Sequence, residues 1–185
     1  APFPAAIQDV KTAIRWLKAN AKDLNVDPLR VGVFGHSAGG ELAALAALLL
    51  PEAGLEGDGP YQEQSSGVQA AVVAALNTKY QARSLGPVLY QYLVGPNETV
   101  SGLQMRDQEI QALGKKASLI TYVRKNAPPI LIIHGTSDFL PYTNVVEFVD
   151  AMRTAGNKNV VLMGLHGEGH GAFSENLVIT APAMR

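Results

Sequence analysis

Residues 31–50 read VGVFGHSAGGELAALAALLL. An apolar, β-prone run at residues 31–34 breaks into a glycine-rich turn at residues 35–40, and an Ala/Leu-rich stretch follows at residues 41–50. A short apolar run bounded by turn residues is typical of a buried strand, and a longer Ala/Leu run is typical of a buried helix. The stretch therefore predicts a strand, a sharp turn and a buried helix.

The same alternation of strand and helix continues on both sides of this stretch. Three more strands are predicted, at residues 68–76, 130–133 and 160–165. Helices are predicted at residues 5–24 and 142–154, with a helical insertion at residues 77–127 and a last helix from Ser174. This alternation predicts an α/β fold with a mostly parallel sheet flanked by helices, formed by residues 1–185 as a single domain.

Composition excludes several classes of protein. The chain has 185 residues, about the size of one domain. Lys plus Arg is 15 and Asp plus Glu is 16, a net charge of −1, so no basic surplus favours nucleic acid. The longest apolar run, residues 42–50, is well short of the ~20 residues of a membrane span. The chain has no Cys, which excludes disulfides, thiolate metal sites and a Cys nucleophile.

Ser37 is the candidate nucleophile. Gly35-His36-Ser37-Ala38-Gly39 fits the pattern G-x-S-x-G between a predicted strand and a predicted helix. A Ser on such a turn exposes its hydroxyl at the positive end of the helix, and the close backbone approach favours Gly at both flanks. The pattern alone also fits a glycine-rich turn that merely opens a helix, and the strand and helix around it favour the nucleophile.

A Ser nucleophile needs a base and an acid that orients the base. Asp138 follows the predicted strand at residues 130–133, and His170 follows the one at residues 160–165. Because the carboxyl ends of parallel strands meet at one edge of the sheet, we expect Asp138 and His170 to lie beside Ser37. The alternatives are a helix-capping Asp138 and an ordinary exposed loop His170.

Three other histidines are candidates for lesser roles. His36 should point away from the Ser37 hydroxyl because strand side chains alternate, and we interpret it as structural. His134 ends a buried strand and is expected to brace the Asp138 loop by a hydrogen bond. His166 competes with His170 for the role of base. A metal site at His166 and His170 is disfavoured, because ligands four residues apart need a helix and glycines separate these two.

Longer motifs carry a resemblance to a known family. Besides the elbow at residues 35–40, they are Pro2-Phe3-Pro4-Ala5-Ala6 with Ile14-Arg15-Trp16-Leu17, His134-Gly135 through Asp138, and Gly167 through Phe173. Over nearly its whole length the chain resembles the α/β-hydrolase superfamily, and more closely the carboxylesterases related to hormone-sensitive lipase and to bacterial feruloyl and acetyl-xylan esterases. The chain order Ser37, Asp138, His170 is that of the α/β-hydrolase triad. Pro141 comes one residue earlier after the acid than is usual, which shortens that loop.

The resemblance also implies an oxyanion hole. The Ala38 N–H corresponds to one half of it. In the family the other half comes from a loop that lies upstream of the position corresponding to Ala1. The resemblance implies about four strands upstream of Ala1 and a longer carboxyl end. We therefore expect the strand at residues 31–34 to be a bare sheet edge, and the chain by itself to be insoluble, oligomeric or weakly active.

The function implied by the resemblance is that of a serine carboxylesterase acting on short-chain, acetyl or feruloyl esters. Its partner is a small-molecule ester, with no cofactor, no metal, no nucleic acid and no membrane span, and a homo-oligomer is compatible with it. Two alternatives stay open, a serine peptidase of the prolyl-oligopeptidase type and a non-catalytic binding protein of the same fold. Ala38 in place of a bulky aromatic residue favours the esterase over the peptidase.

Overall fold

A computed structural model describes residues 2–80, 92–93 and 107–172. Its sheet contains four parallel strands in the order β1-β2-β3-β4. They are β1 (Gly32–His36), β2 (Ala70–Ala74), β3 (Ile130–Gly135) and β4 (Val160–Leu165). All four strands therefore end at the same edge of the sheet, and the predicted parallel α/β architecture is confirmed.

Within the described ranges, four helices of two turns or more accompany the strands. They are α1 (Ala5–Ala19), α2 (Ala38–Leu48), α3 (Asp107–Ala117) and α4 (Tyr142–Thr154), with short 3₁₀ turns at Pro51–Ala53 and Leu119–Tyr122. Helix α2 packs on β1 and β2, α4 packs on β3 and β4, and α1 packs on α2. The helices thus flank the sheet as the sequence predicts.

The boundaries of two helices differ from the prediction. Helix α1 ends at Ala19 and not at residue 24, because the Asn20 side chain bonds the Trp16 carbonyl and the chain turns. The apolar spacing continues to Ala21 because the turn itself buries that side chain. Helix α2 begins at Ala38, three residues before the predicted start at residue 41, because the glycine-rich turn is already its first turn.

The predicted insertion at residues 77–127 is described in part. Its described portion contains α3 and the 3₁₀ turn Leu119–Tyr122, which agrees with the expected helical character. The rest of the insertion and the helix expected from Ser174 lie outside the described residues. No helix in the described ranges is long and apolar enough to cross a membrane.

The core lies between α2 and the central strands. Ala44 and Leu45 on α2 and Val73 on β2 are fully buried, as is Ile132 on β3. Strand β3 pairs with β2 on one side and with β4 on the other. This burial explains why these segments read as continuous apolar runs, which is typical of strands covered on both faces.

Two cations are buried on α1, which the helical periodicity did not predict. Lys11 and Arg15 are each 1% exposed. Glu56 pairs with both of them, at 2.6 Å from Lys11 Nζ and 3.0 Å from Arg15 Nη1. Ser66 donates its hydroxyl to the same carboxylate at 2.6 Å. Buried charges of this kind are tolerated because they are paired and hydrogen-bonded.

We expect Glu56→Gln to lower the free energy of unfolding by about 2–3 kcal/mol near neutral pH, because it leaves Lys11 and Arg15 without a counter-charge. Burial raises the pKa of Glu56, but the hydrogen bonds from Lys11 and Ser66 and the charges of Lys11 and Arg15 outweigh burial and lower it. The stabilisation is therefore present above the usual carboxyl pKa and is lost as pH falls through the lowered value.

Urea denaturation at a series of pH values measures this loss. The matched control is Glu63→Gln, which removes an exposed carboxylate and should leave stability unchanged. A Glu56→Gln protein as stable as the unmodified protein at neutral pH would show that the three charges do not act as a unit.

Strand β1 supplies a prediction about association. Among the described residues β1 pairs with β2 alone, so it is the expected edge strand. We expect the 185-residue chain to associate through this strand, where the Phe34 side chain is 59% exposed. Size-exclusion chromatography with light scattering measures this, and Phe34→Lys should shift the chain toward monomer.

Phe139 provides the matched control, since its side chain is 75% exposed and it belongs to the loop after β3 and not to β1. Phe139→Lys should leave the association unchanged. A monodisperse monomer of the unmodified chain at every concentration would contradict the edge-pairing explanation.

Candidate active site

Ser37 occupies the sharp turn between β1 and α2. Its backbone has φ 56° and ψ −125°, a conformation that side-chain-bearing residues rarely adopt. A Cβ on Gly35 would lie 2.1 Å from the Gly39 carbonyl oxygen, so the turn requires glycine at position 35. Among the residues that the structure describes, a Cβ on Gly39 would meet nothing within 4 Å. The expectation of a close approach at both flanks is therefore confirmed at Gly35 and wrong at Gly39.

The structure brings Ser37, His170 and Asp138 together. His170 Nε2 lies 2.8 Å from Ser37 Oγ. His170 Nδ1 lies 3.0 Å from each carboxylate oxygen of Asp138. With Nδ1–H donating to the carboxylate, Nε2 is left to accept the Ser37 hydroxyl proton. This is the tautomer that a general base acting on Ser37 requires.

The Asp138 side chain is fully buried and held from several directions. Its Oδ1 also accepts the Leu140 N–H at 2.8 Å. His134 donates Nε2–H to the Leu140 carbonyl at 3.1 Å, and the same nitrogen lies 3.7 Å from Asp138 Oδ2. Burial lowers the pKa of His134, which keeps the ring neutral. The expected brace of the acid loop by His134 is confirmed, and Pro141 does not displace the acid.

The loop that carries His170 is joined directly to the acid loop. Ser137 N–H donates to the Glu168 carbonyl at 2.9 Å. A Cβ on Gly135 would lie 2.2 Å from that same carbonyl oxygen, so the two loops touch where β3 ends. On the other side, His36 Nε2 lies 2.9 Å from the His170 carbonyl oxygen. His36 thus contacts the backbone of the His170 loop, which agrees with its interpretation as a structural residue.

The remaining predicted positions lie as follows. His166 is exposed just beyond the end of β4, outside the hydrogen-bonded set. Ala38 is exposed and is the first residue of α2. Its N–H therefore belongs to the first turn of the helix, where the amides have no intrahelical acceptor. Within the ranges that the structure describes, no three His, Asp or Glu side chains are grouped to hold a metal ion.

A cavity of about 360 Å³ opens beside the nucleophile. Its walls include Ser37, Ala38, Glu41, Tyr80, Tyr92 and Phe139. The Phe139 ring also lies against His170, with ring centroids 4.4 Å apart. Sequence reasoning predicted Ser37 and Ala38 here but missed Glu41, Tyr80, Tyr92 and Phe139. One signal was available, since Glu41 is a charged residue inside an otherwise apolar Ala/Leu run.

Comparison with known proteins assigns this chain to a family. The model of the BD-FAE family matches residues 1–152. Esterase LipC of Mycobacterium tuberculosis is 32% identical over 170 residues, which cover 91% of this chain and 41% of LipC. An acetylxylan esterase of Xylanibacter ruminicola is 27% identical over 183 residues, covering 90% of this chain and 32% of that protein. The chain thus spans about two fifths or less of these relatives.

A solved structure shows the same fold. Esterase Est2 of the planctomycete Thermogutta terrifontis, with butyrate bound, superposes with a TM-score of 0.76 at 27% identity. The match covers 99% of this chain and 63% of that one. The parallel sheet, the elbow between β1 and α2 and the family match agree with one another. The chain belongs to the BD-FAE family and has the α/β-hydrolase fold of serine esterases.

Proposed function

We propose that the protein to which this chain belongs is a serine carboxylesterase. The observation that carries the proposal is the continuous hydrogen-bond series from Asp138 through His170 to Ser37 Oγ. A Ser hydroxyl is a weak nucleophile unless a base takes its proton as it attacks. The series supplies that base, already in the tautomer it needs, at the edge of an accessible cavity.

The proposed reaction passes through an acyl-enzyme. Ser37 Oγ attacks the ester carbonyl while its proton moves to His170 Nε2, and Asp138 stabilises the resulting imidazolium. The Ala38 N–H donates to the negative oxygen of the tetrahedral intermediate. His170 then gives its proton to the leaving alcohol. A water attacks the acyl-enzyme by the same route and releases the carboxylic acid.

The substrate class follows from the relatives and from the cavity. Est2 was solved with butyrate, and another relative is named an acetylxylan esterase. The cavity beside Ser37 is small, about 360 Å³, and is walled by Ala38 and aromatic rings. These observations support short-chain and acetyl esters as substrates, and the family resemblance adds feruloyl-type esters. The peptidase and the non-catalytic binding protein are not favoured, since the matched relatives are named esterases.

We expect Ser37→Ala in the complete protein to reduce hydrolysis of p-nitrophenyl acetate by about 10³-fold or more, because it removes the attacking oxygen and leaves the fold intact. The same change should abolish labelling by a fluorophosphonate probe. Ser65→Ala, on an exposed loop, serves as the matched control and should keep both signals. Turnover retained by a pure Ser37→Ala sample would overturn the nucleophile assignment.

The two histidines on the last loop give a second test. His170→Ala should lose nearly all ester hydrolysis, since His170 Nε2 contacts Ser37 Oγ at 2.8 Å. His166→Ala should keep most of it, because His166 is exposed and outside the hydrogen-bonded set. Steady-state kcat/KM of both variants on p-nitrophenyl acetate decides between them. A larger loss in His166→Ala would mean that the base is His166.

A further inference from the structure

Glu41 is a buried carboxyl that the proposed reaction does not use. It lies one turn of α2 beyond Ser37 and is 3% exposed. Together with Ser37 it lines the cavity of about 360 Å³. Its state of charge therefore acts on whatever substrate group occupies that cavity.

The hydrogen-bond partner of Glu41 is a hydroxyl group. Tyr80 Oη lies 2.7 Å from one carboxyl oxygen of Glu41 and 2.8 Å from the other. Tyr80 is 8% exposed and stacks on Tyr92 with ring centroids 5.8 Å apart. Among the described residues, no Lys, Arg or His lines the cavity and none forms an ion pair with Glu41.

An ionised carboxylate without a cationic partner is costly in such surroundings. Burial raises the pKa of Glu41 to about 8, and the hydrogen bond from Tyr80 opposes this rise in part. Near neutral pH the Glu41 side chain that lines the cavity is therefore uncharged, and it becomes negative in more alkaline solution.

On the basis of the proposed esterase function, we propose that Glu41 determines which part of a substrate enters this cavity, namely an uncharged and largely apolar group of the ester. The walls formed by Ala38, Tyr92 and Phe139 suit such a group. A cationic group of the same shape is disfavoured beside a neutral Glu41, because it loses its hydration without gaining a counter-charge. Aromatic faces and an ionised Glu41 would together attract that same cation.

Other titratable groups lie near Glu41 and must be separated from it. Burial and the charge of Glu41 raise the pKa of Tyr80 and of Tyr92, so both stay neutral over the assay range. His170 and Asp138 lie across Ser37 and belong to the hydrolytic machinery. Any change in that machinery alters kcat/KM for both esters of a pair alike. It therefore cancels in the ratio of kcat/KM for two esters measured at the same pH.

The test compares two isosteric acetate esters from about pH 6 to about pH 9.5. Acetylcholine carries a trimethylammonium group where 3,3-dimethylbutyl acetate carries a neutral tert-butyl group. We expect the neutral ester to be preferred by about tenfold or more below pH 7. The ratio of acetylcholine to neutral ester should then rise about tenfold or more, with a midpoint set by Glu41.

A second pair places the same groups on the acyl side. It consists of the p-nitrophenyl esters of 4-(trimethylammonio)butyrate and 5,5-dimethylhexanoate, corrected for hydrolysis without enzyme. If the cavity takes the alcohol, the pH-dependent ratio appears in the acetate pair. If it takes the acyl group, the ratio appears in the p-nitrophenyl pair.

Variants assign the titration to Glu41. Glu41→Gln should give a ratio that is independent of pH, because the amide cannot ionise. Tyr80→Phe removes the hydrogen bond that favours the ionised form, so it should move the midpoint to higher pH. If Glu41→Gln does not fold, the Tyr80→Phe shift still tests the proposal. Glu52→Gln, an exposed carboxyl in a distant turn, is the matched control and should behave as the unmodified protein.

The outcomes separate this inference from the proposed function. The role of Glu41 would be overturned, while ester hydrolysis stands, if the kcat/KM ratio did not change with pH in either pair of esters. A ratio that changed with pH in Glu41→Gln as it does in the unmodified protein would overturn it equally. A preference for the cationic esters below pH 7 would show that the cavity recognises cations. The absence of any Ser37-dependent hydrolysis would instead refute the esterase proposal itself.

Discussion

The close contact of Gly35 with the backbone of Gly39 is the constraint on which the site depends. It lets β1 turn into α2 within one residue, and it holds Ser37 at a positive φ of 56°. A side chain at position 35 would push the first turn of α2 away from β1. The hydroxyl of Ser37 would then lose its position at the start of the helix, where the backbone amides of the first turn lie.

Two further loops meet at Ser37 because the sheet is parallel. Strands β3 and β4 end at the same edge as β1, so the residues that follow them are neighbours. A second glycine contact, Gly135 against the Glu168 carbonyl, lets the loop that carries Asp138 lie directly against the loop that carries His170. His36 and His134 then hold these loops by contacts to backbone carbonyl oxygens. The functional geometry therefore rests on backbone packing as much as on the three reactive side chains.

The buried Lys, Arg and Glu side chains among the described residues fall into two kinds. Lys11 and Arg15 share the Glu56 carboxylate, so each charge is compensated and the cluster joins α1 to the loop beyond α2. Glu41 has a hydroxyl partner in Tyr80 and no ion pair among the described residues. At Lys11 and Arg15 the desolvation cost is met by an ion cluster with Glu56. At Glu41 the same cost instead keeps the carboxyl protonated until alkaline pH.

The sequence by itself determined the parallel α/β fold, the elbow and the order of Ser37, Asp138 and His170, because apolar runs and glycine turns are local patterns. Helix ends were predicted less well, since Asn20 and the turn at residues 35–40 set them through specific hydrogen bonds and backbone conformation. The tertiary structure alone decided the pairing of Lys11 and Arg15 with Glu56. It also decided that Glu41 and Tyr80, which are 39 residues apart, meet in one cavity beside Ser37. Such contacts join residues distant in the chain, and no local periodicity encodes which of them will be buried together.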